Sequence, residues 1–77
     1  MSTKSFNESY GLHRLSAGSW QGFVRGYTVS ITRDEFGAWL TTRDYDGLTL
    51  SYGNTIRLSV ERASEELRRI ATQHNAM

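Results

Sequence analysis

Residues 27–32 read Tyr-Thr-Val-Ser-Ile-Thr, so large apolar side chains alternate with small hydroxyl side chains along this stretch. Such alternation is typical of a β-strand that buries one face and exposes the other. Residues 38–43 and 48–52 repeat the alternation, and polar turn segments at 33–37 and 44–47 separate the three runs. Strands joined by short connections usually pair with one another, so the sequence predicts an antiparallel meander.

The segment after the third run predicts a helix. Gly53 ends the strand, and Asn54 or Thr55 can cap a helix N-terminus. Apolar residues then recur at helical spacing up to position 71, opposite a charged face. One alternative stays open, because residues 55–60 also alternate and would suit a fourth strand. We therefore expect an α+β fold, with a three- to four-stranded antiparallel meander packed by one C-terminal amphipathic helix.

The length of 77 residues leaves room for one domain. Residues 1–9 are polar and lack periodicity, which predicts a flexible N-terminal tail, and residues 10–77 then form a single β-β-β-α domain. The chain has no cysteine, no secretory signal pattern and no apolar run near the roughly 20 residues that span a bilayer. We expect a cytoplasmic protein that does not enter a membrane.

The chemistry-bearing residues form no recognisable catalytic pattern. His13 and His74 lie at opposite ends of the chain, so no metal site is expected. The serines sit in no nucleophile motif, and the glycines are scattered rather than gathered in a phosphate loop. Asp44 and Asp46 could share an ion, but aspartates two apart are more typical of a turn. The sequence predicts no catalytic residue, no cofactor, no metal and no enzyme activity.

The candidate binding residues lie on the second run and its flanking turns. The even-numbered residues of 38–43 are expected to face the core, together with Tyr27 and Tyr52. Trp39 and Arg43 then lie on the outer face, a composition typical of binding hot spots. An equal alternative is that the N-terminal segment with Trp20 and Phe23 covers Trp39. The predicted partner-binding residues are Trp39, Arg43, Asp34, Glu35, Asp44, Tyr45 and Asp46.

Residues 26–67 carry a family resemblance. Asp44 and Gly47 between the runs, and Gly53-Asn54-Thr55-Ile56 at the predicted helix start, resemble the HicB-like antitoxin domain, which runs strand, strand, strand, helix. The resemblance implies a non-catalytic domain that neutralises a toxin RNase.

The small size and plain build of the chain are also similar to phage-encoded inhibitors of the anti-CRISPR type. This similarity implies a stoichiometric inhibitor, encoded by a phage or mobile element, that blocks a host protein or nucleoprotein complex. Acidic turns would suit a basic groove on such a partner. Of the two functions, we expect the stoichiometric inhibitor, and the antitoxin is the alternative.

A small nucleic-acid-binding module is the third alternative, and a homodimer is left open. The net charge is only +1, whereas nucleic-acid binders usually carry a clear basic excess. Direct nucleic-acid binding would use arginines and aromatic rings on one sheet face. The residues concerned are Arg25, Arg33, Arg43, Trp20, Trp39 and Tyr45.

Overall fold

The computed structural model describes residues 5–75. The elements in chain order are α1 (Phe6–Tyr10), β1 (His13–Ser16), β2 (Ser19–Val24), β3 (Tyr27–Arg33), β4 (Trp39–Arg43), β5 (Thr49–Gly53) and α2 (Ile56–Asn75). The strands form one antiparallel sheet in the order β1-β2-β3-β4-β5, and α2 packs mainly on β5 and β4. The α+β meander with a C-terminal helix is confirmed, but it has five strands rather than three or four.

Strands β1 and β2 precede the three predicted runs, and of these two β2 is the longer and pairs with β3. It joins β3 through the two-residue connection Arg25-Gly26, where both residues have positive φ angles of 49° and 87°. Such a connection matches the twist of an antiparallel hairpin. The period-2 pattern of β2 is hidden because Gly22 occupies an inward position, where a Cβ would overlap the side chain of Leu12.

Helix α2 begins where the sequence predicts. The Thr55 Oγ1 accepts a hydrogen bond from the Leu58 backbone amide at 3.1 Å, which makes Thr55 the N-cap. The alternative of a fourth strand over residues 55–60 is therefore wrong. The apolar stripe of the helix lies on the sheet, and its fully or nearly fully buried members are Val60, Ala63 and Leu67.

The N-terminal part of the chain differs from the expected tail over residues 1–9. Helix α1 begins after Ser5, whose Oγ accepts a hydrogen bond from the Glu8 amide at 3.2 Å. The rings of Phe6 and Tyr10 lie 5.0 Å apart and pack against the core, which explains why this short helix forms. Residues 1–4 of the expected tail lie outside the described residues.

The faces of β4 are opposite to the expected ones. Thr41 pairs with Ile31 and Arg43 pairs with Val29, so the odd-numbered residues of β4 share the α2 side of the sheet with buried apolar residues. Thr41 is fully buried, and its Oγ1 lies 2.7 Å from the Oγ of Ser59 on α2. Polar residues can occupy this face because each of them has a hydrogen-bond partner in the chain.

Tyr27 and Tyr52 are not core residues, which corrects a further expectation. Tyr27 is 38% exposed at the end of β3, and Tyr52 is 57% exposed. The pairing of β4 with β5 is irregular between Thr41 and Thr42, and beyond this point Tyr52 lies on the face away from α2. Across residues 5–75, no helix is long and apolar enough to cross a membrane.

Candidate functional site

Arg43 is part of the internal packing rather than an exposed contact residue. It is 8% exposed, and its Nε and one terminal nitrogen donate to the two carboxylate oxygens of Asp46 at 3.1 and 2.7 Å. The guanidinium carbon lies 4.6 Å from the ring centre of Tyr45 and 5.3 Å from that of Tyr27. The hydrogen bonds from Arg43 lower the pKa of the Asp46 carboxyl and raise the pKa of Arg43 itself.

Two of the four acidic residues of the predicted site, Asp34 and Asp46, accept hydrogen bonds from backbone amides of their own turns. The Asp34 Oδ1 accepts from the backbone amides of Phe36 and Ala38, both at 2.9 Å. Asp44 lies over the sheet face away from α2, where it accepts from the Ser30 hydroxyl at 2.5 Å. Glu35 is exposed, and no hydrogen bond or ion pair joins it to another described side chain. The Asp34 contacts match the turn chemistry of aspartate, whereas the Asp44 contact joins its turn to β3.

The predicted site residues do not form one surface. Trp39 and Arg43 are the first and last residues of β4, so they lie at opposite ends of that strand. Asp34 and Glu35 flank the Trp39 end, whereas the segment 44–46 follows the Arg43 end. The structure therefore separates the predicted residues into two groups.

Trp39 belongs to a different neighbourhood from the one expected. It is half-buried on the α2 side of the sheet and packs against the core. Trp20 lies beside it in the same groove, whereas Phe23 is 57% exposed on the opposite face of the sheet. Trp20 and Phe6, which both come from the N-terminal part of the chain, line this groove together with Trp39.

These rings line a groove of about 410 Å³, which we call the aromatic groove. Phe6 comes from α1, Trp20 from β2 and Trp39 from β4, and the first residues of α2 form the remaining wall. Four separate elements therefore position the groove. Its lining residues are Phe6, Asn7, Trp20, Trp39, Asn54, Thr55, Ile56 and Arg57.

Two arginines flank the aromatic groove. The guanidinium carbon of Arg57 lies 4.6 Å from the ring centre of Phe6, and that of Arg33 lies 6.0 Å from the ring centre of Trp39. Both distances fit a cation–π interaction. The described residues place no carboxylate within 4.0 Å of either arginine, whereas Arg68 on the outer face of α2 pairs with Glu65.

The N-terminus of α2 adds further positive potential to this wall. The first amides of a helix have no partner within the helix, and here Thr55 satisfies the amide of Leu58. The amides of Ile56 and Arg57 remain at the positive end of the helix dipole. The aromatic groove thus combines an apolar floor with a cationic wall, an arrangement that can hold an anionic group next to an apolar one.

Sequence reasoning selected Trp39 but missed most of the groove. The sequence predicts a flexible tail over residues 1–9, which include Phe6, and a charged helix face, which includes Arg57. The capping sequence at 53–56 places the start of α2 beside β4 and could have indicated this wall. In residues 5–75, no group of three or more His, Asp or Glu side chains could hold a metal ion.

Comparisons with known proteins find no protein similar to this chain. No protein-family model, curated protein or solved structure matches the chain. The resemblance to HicB-like antitoxin domains and to small phage inhibitors therefore stays a prediction from the sequence.

Proposed function

We propose that the chain is a small non-catalytic binding protein that attaches to another protein in a one-to-one complex and blocks part of that partner's surface. The observation that carries the proposal is the aromatic groove, where two tryptophans and a phenylalanine lie beside arginines that have no carboxylate partner among the described residues. Tryptophan and arginine are among the residue types enriched in binding hot spots.

The way the groove is built supports this proposal. Trp20 on β2 and Trp39 on β4 are half-buried and are fixed by strands of one sheet, so they lose little side-chain freedom when a partner binds. A binding surface held on strands and helices is also better defined than one held on loops. The groove therefore has the preorganisation that a stoichiometric binder needs.

The exposed surface of the chain is large enough for one protein–protein interface of standard area. A standard interface buries about 800 Å² on each partner. The described chain exposes 5338 Å² in total, so one such interface would occupy a modest fraction of its surface. Hot-spot residues tend to lie near the centre of an interface, so the aromatic groove would be the centre of this one.

Two matched variants test the proposal by capture from the native host. Arg57→Gln removes the cation that lines the groove on α2, and Arg68→Gln removes an exposed cation from the outer face of the same helix. We expect wild type and Arg68→Gln to retain one partner in a 1:1 complex by native mass spectrometry. Arg57→Gln should bind that purified partner about tenfold more weakly, because truncating a hot-spot residue costs more than about 1 kcal/mol.

The blocking part of the proposal is measured on the same partner. Its activity or its own binding reaction should fall in proportion to added chain and level off at equimolar amounts. Absence of any stoichiometric protein partner, or equal binding by wild type and Arg57→Gln, would refute the proposal. Retention on DNA or RNA alone, lost at high salt, would point to the nucleic-acid module instead.

A further inference from the structure

We propose that the aromatic groove takes a linear acidic segment of the partner, in which an Asp or Glu lies next to a large aliphatic side chain. This inference rests on the proposed function and adds the chemistry of the segment. The carboxylate would lie against Arg57 and the start of α2, and the aliphatic side chain would lie on the floor made by Trp20 and Trp39.

The positive charge of the aromatic groove favours an anionic ligand. Arg57 is the charged residue among the groove's lining residues, and Arg33 lies beside Trp39. A guanidinium lying over a ring keeps its N–H groups in its own plane, where they can donate in pairs to a carboxylate. The free amides at the start of α2 favour negative charge at the same place. Charge complementarity therefore favours an acidic partner segment.

The rings favour an aliphatic side chain over a nucleotide base. Base recognition by stacking needs an open aromatic face. Here Arg57 lies over the ring of Phe6, and Arg33 lies near the ring of Trp39. Both tryptophans are also half-buried, so they offer partial apolar surface rather than free faces. A compact aliphatic group fits such a floor by contact alone, and the volume of about 410 Å³ suits one or two side chains.

The chain's own residues 1–4 fit this wall less well than an acidic segment does. They precede Ser5, the N-cap of α1, and read Met-Ser-Thr-Lys, with one basic and no acidic side chain. Lys4 would bring a positive charge towards Arg57 and the positive end of α2. Like charges at close range are unfavourable, so charge again points to a separate acidic occupant.

Tryptophan fluorescence offers a direct readout, because Trp20 and Trp39 are the two tryptophans of the chain and both line the groove. The full chain is titrated at low salt with the capped peptide Gly-Glu-Leu-Glu-Gly. The matched probes are Gly-Gln-Leu-Gln-Gly, which lacks the charge, and Gly-Glu-Gly-Glu-Gly, which lacks the aliphatic group. We expect a saturable emission change with the first peptide and at least tenfold weaker binding of each analogue.

The variants assign the effect to the groove. Arg57→Gln should weaken binding of the acidic peptide about tenfold, whereas Arg68→Gln should leave it within a factor of two. Equal binding of the acidic and amide peptides, or no saturable change with any of them, would overturn the inference. Tighter binding of oligothymidylate, or of the peptide Met-Ser-Thr-Lys-Ser, would overturn it too. A change in emission with protein concentration alone would assign the groove to a second copy and would also overturn it.

The two proposals fail in different ways. If Arg57→Gln weakens capture of the partner but acidic peptides do not bind, the acidic-segment inference fails and the binding function stands. If acidic peptides bind through Arg57 but no stoichiometric protein partner exists, the proposed function fails, and the segment inference fails with it because no partner carries the segment.

Discussion

At the scale of single residues, Gly53 is a position where β5 lies close against the backbone of α2. A Cβ at Gly53 would lie 2.6 Å from the backbone nitrogen of Ser59 and 3.1 Å from the carbonyl carbon of Leu58. Both atoms belong to the helix backbone, which cannot move aside like a flexible side chain. The glycine therefore sets the distance between the last strand and the start of α2, and with it one wall of the aromatic groove.

Gly53→Ala is expected to destabilise the fold by about 1–3 kcal/mol, because the added methyl group has to displace the helix backbone. Gly18→Ala is the matched control: a Cβ at Gly18 would make an ordinary contact at 3.8 Å with the Arg33 side chain. The control should change stability by no more than about 0.5 kcal/mol. Urea unfolding of both variants measures the difference. Equal stability of the two variants would show that α2 does not lie against β5 as described.

At the scale of elements, two buried hydroxyl groups join α2 to the sheet. Thr41 on β4 and Ser59 on α2 are fully buried, and their hydroxyl oxygens lie 2.7 Å apart. Ser51 on β5 also donates its hydroxyl hydrogen to the Ser59 carbonyl. A buried polar group that loses its partner retains its full desolvation cost. These contacts fix the helix over β4 and β5 in one register.

A double-mutant cycle on Thr41→Val and Ser59→Ala measures this junction. Each single change should cost about 1–3 kcal/mol of unfolding free energy, because each removes the hydrogen bond of 2.7 Å between two buried hydroxyl groups. The double variant should be less destabilised than the sum of the two, by a coupling of at least about 0.5 kcal/mol. Strictly additive effects would contradict a direct hydrogen bond between these residues.

Some of the secondary-structure elements could be predicted from the sequence, and others could not. The long alternation of β3 and the capped apolar stripe of α2 both satisfy a single period, and the structure confirms them. Strand β2 could not be recognised from the sequence pattern, because Gly22 interrupts its apolar face where the side chain of Leu12 packs. The orientation of β4 depends on its pairing with β3, and each of its faces carries one large apolar residue, so local pattern could not decide it.

The candidate site was less predictable than the fold. Trp39 was identified from its residue type, but its grouping with Arg43 failed because the two residues lie at opposite ends of β4. Phe6 reaches the groove from a five-residue helix whose formation depends on tertiary contacts with the core. In the sequence, nothing distinguishes Arg57 from the other charged residues of the helix. Its place at the groove follows from its contact with the Phe6 ring. Long-range packing, which no local period encodes, creates the groove.

At the scale of the whole molecule, the chain is a thin two-layer body of 41 × 38 × 20 Å. The outer strands are poor templates for pairing with another chain. The Arg62 side chain donates to the Tyr52 carbonyl on β5 at 3.0 Å, and β1 is short and irregular in register. Blocked or irregular edges discourage strand addition. Recognition of a partner is therefore expected at the aromatic groove rather than along a sheet edge.

Fluorine NMR of 5-fluorotryptophan-labelled protein, titrated with the captured partner, tests the central claim that the aromatic groove is the binding surface. The spectrum of the free protein should contain two signals, from Trp20 and Trp39, both of which line the groove. The proposal predicts that both signals shift or broaden in proportion to added partner and stop changing at one equivalent. Formation of the full complex with both signals at their free positions would contradict it.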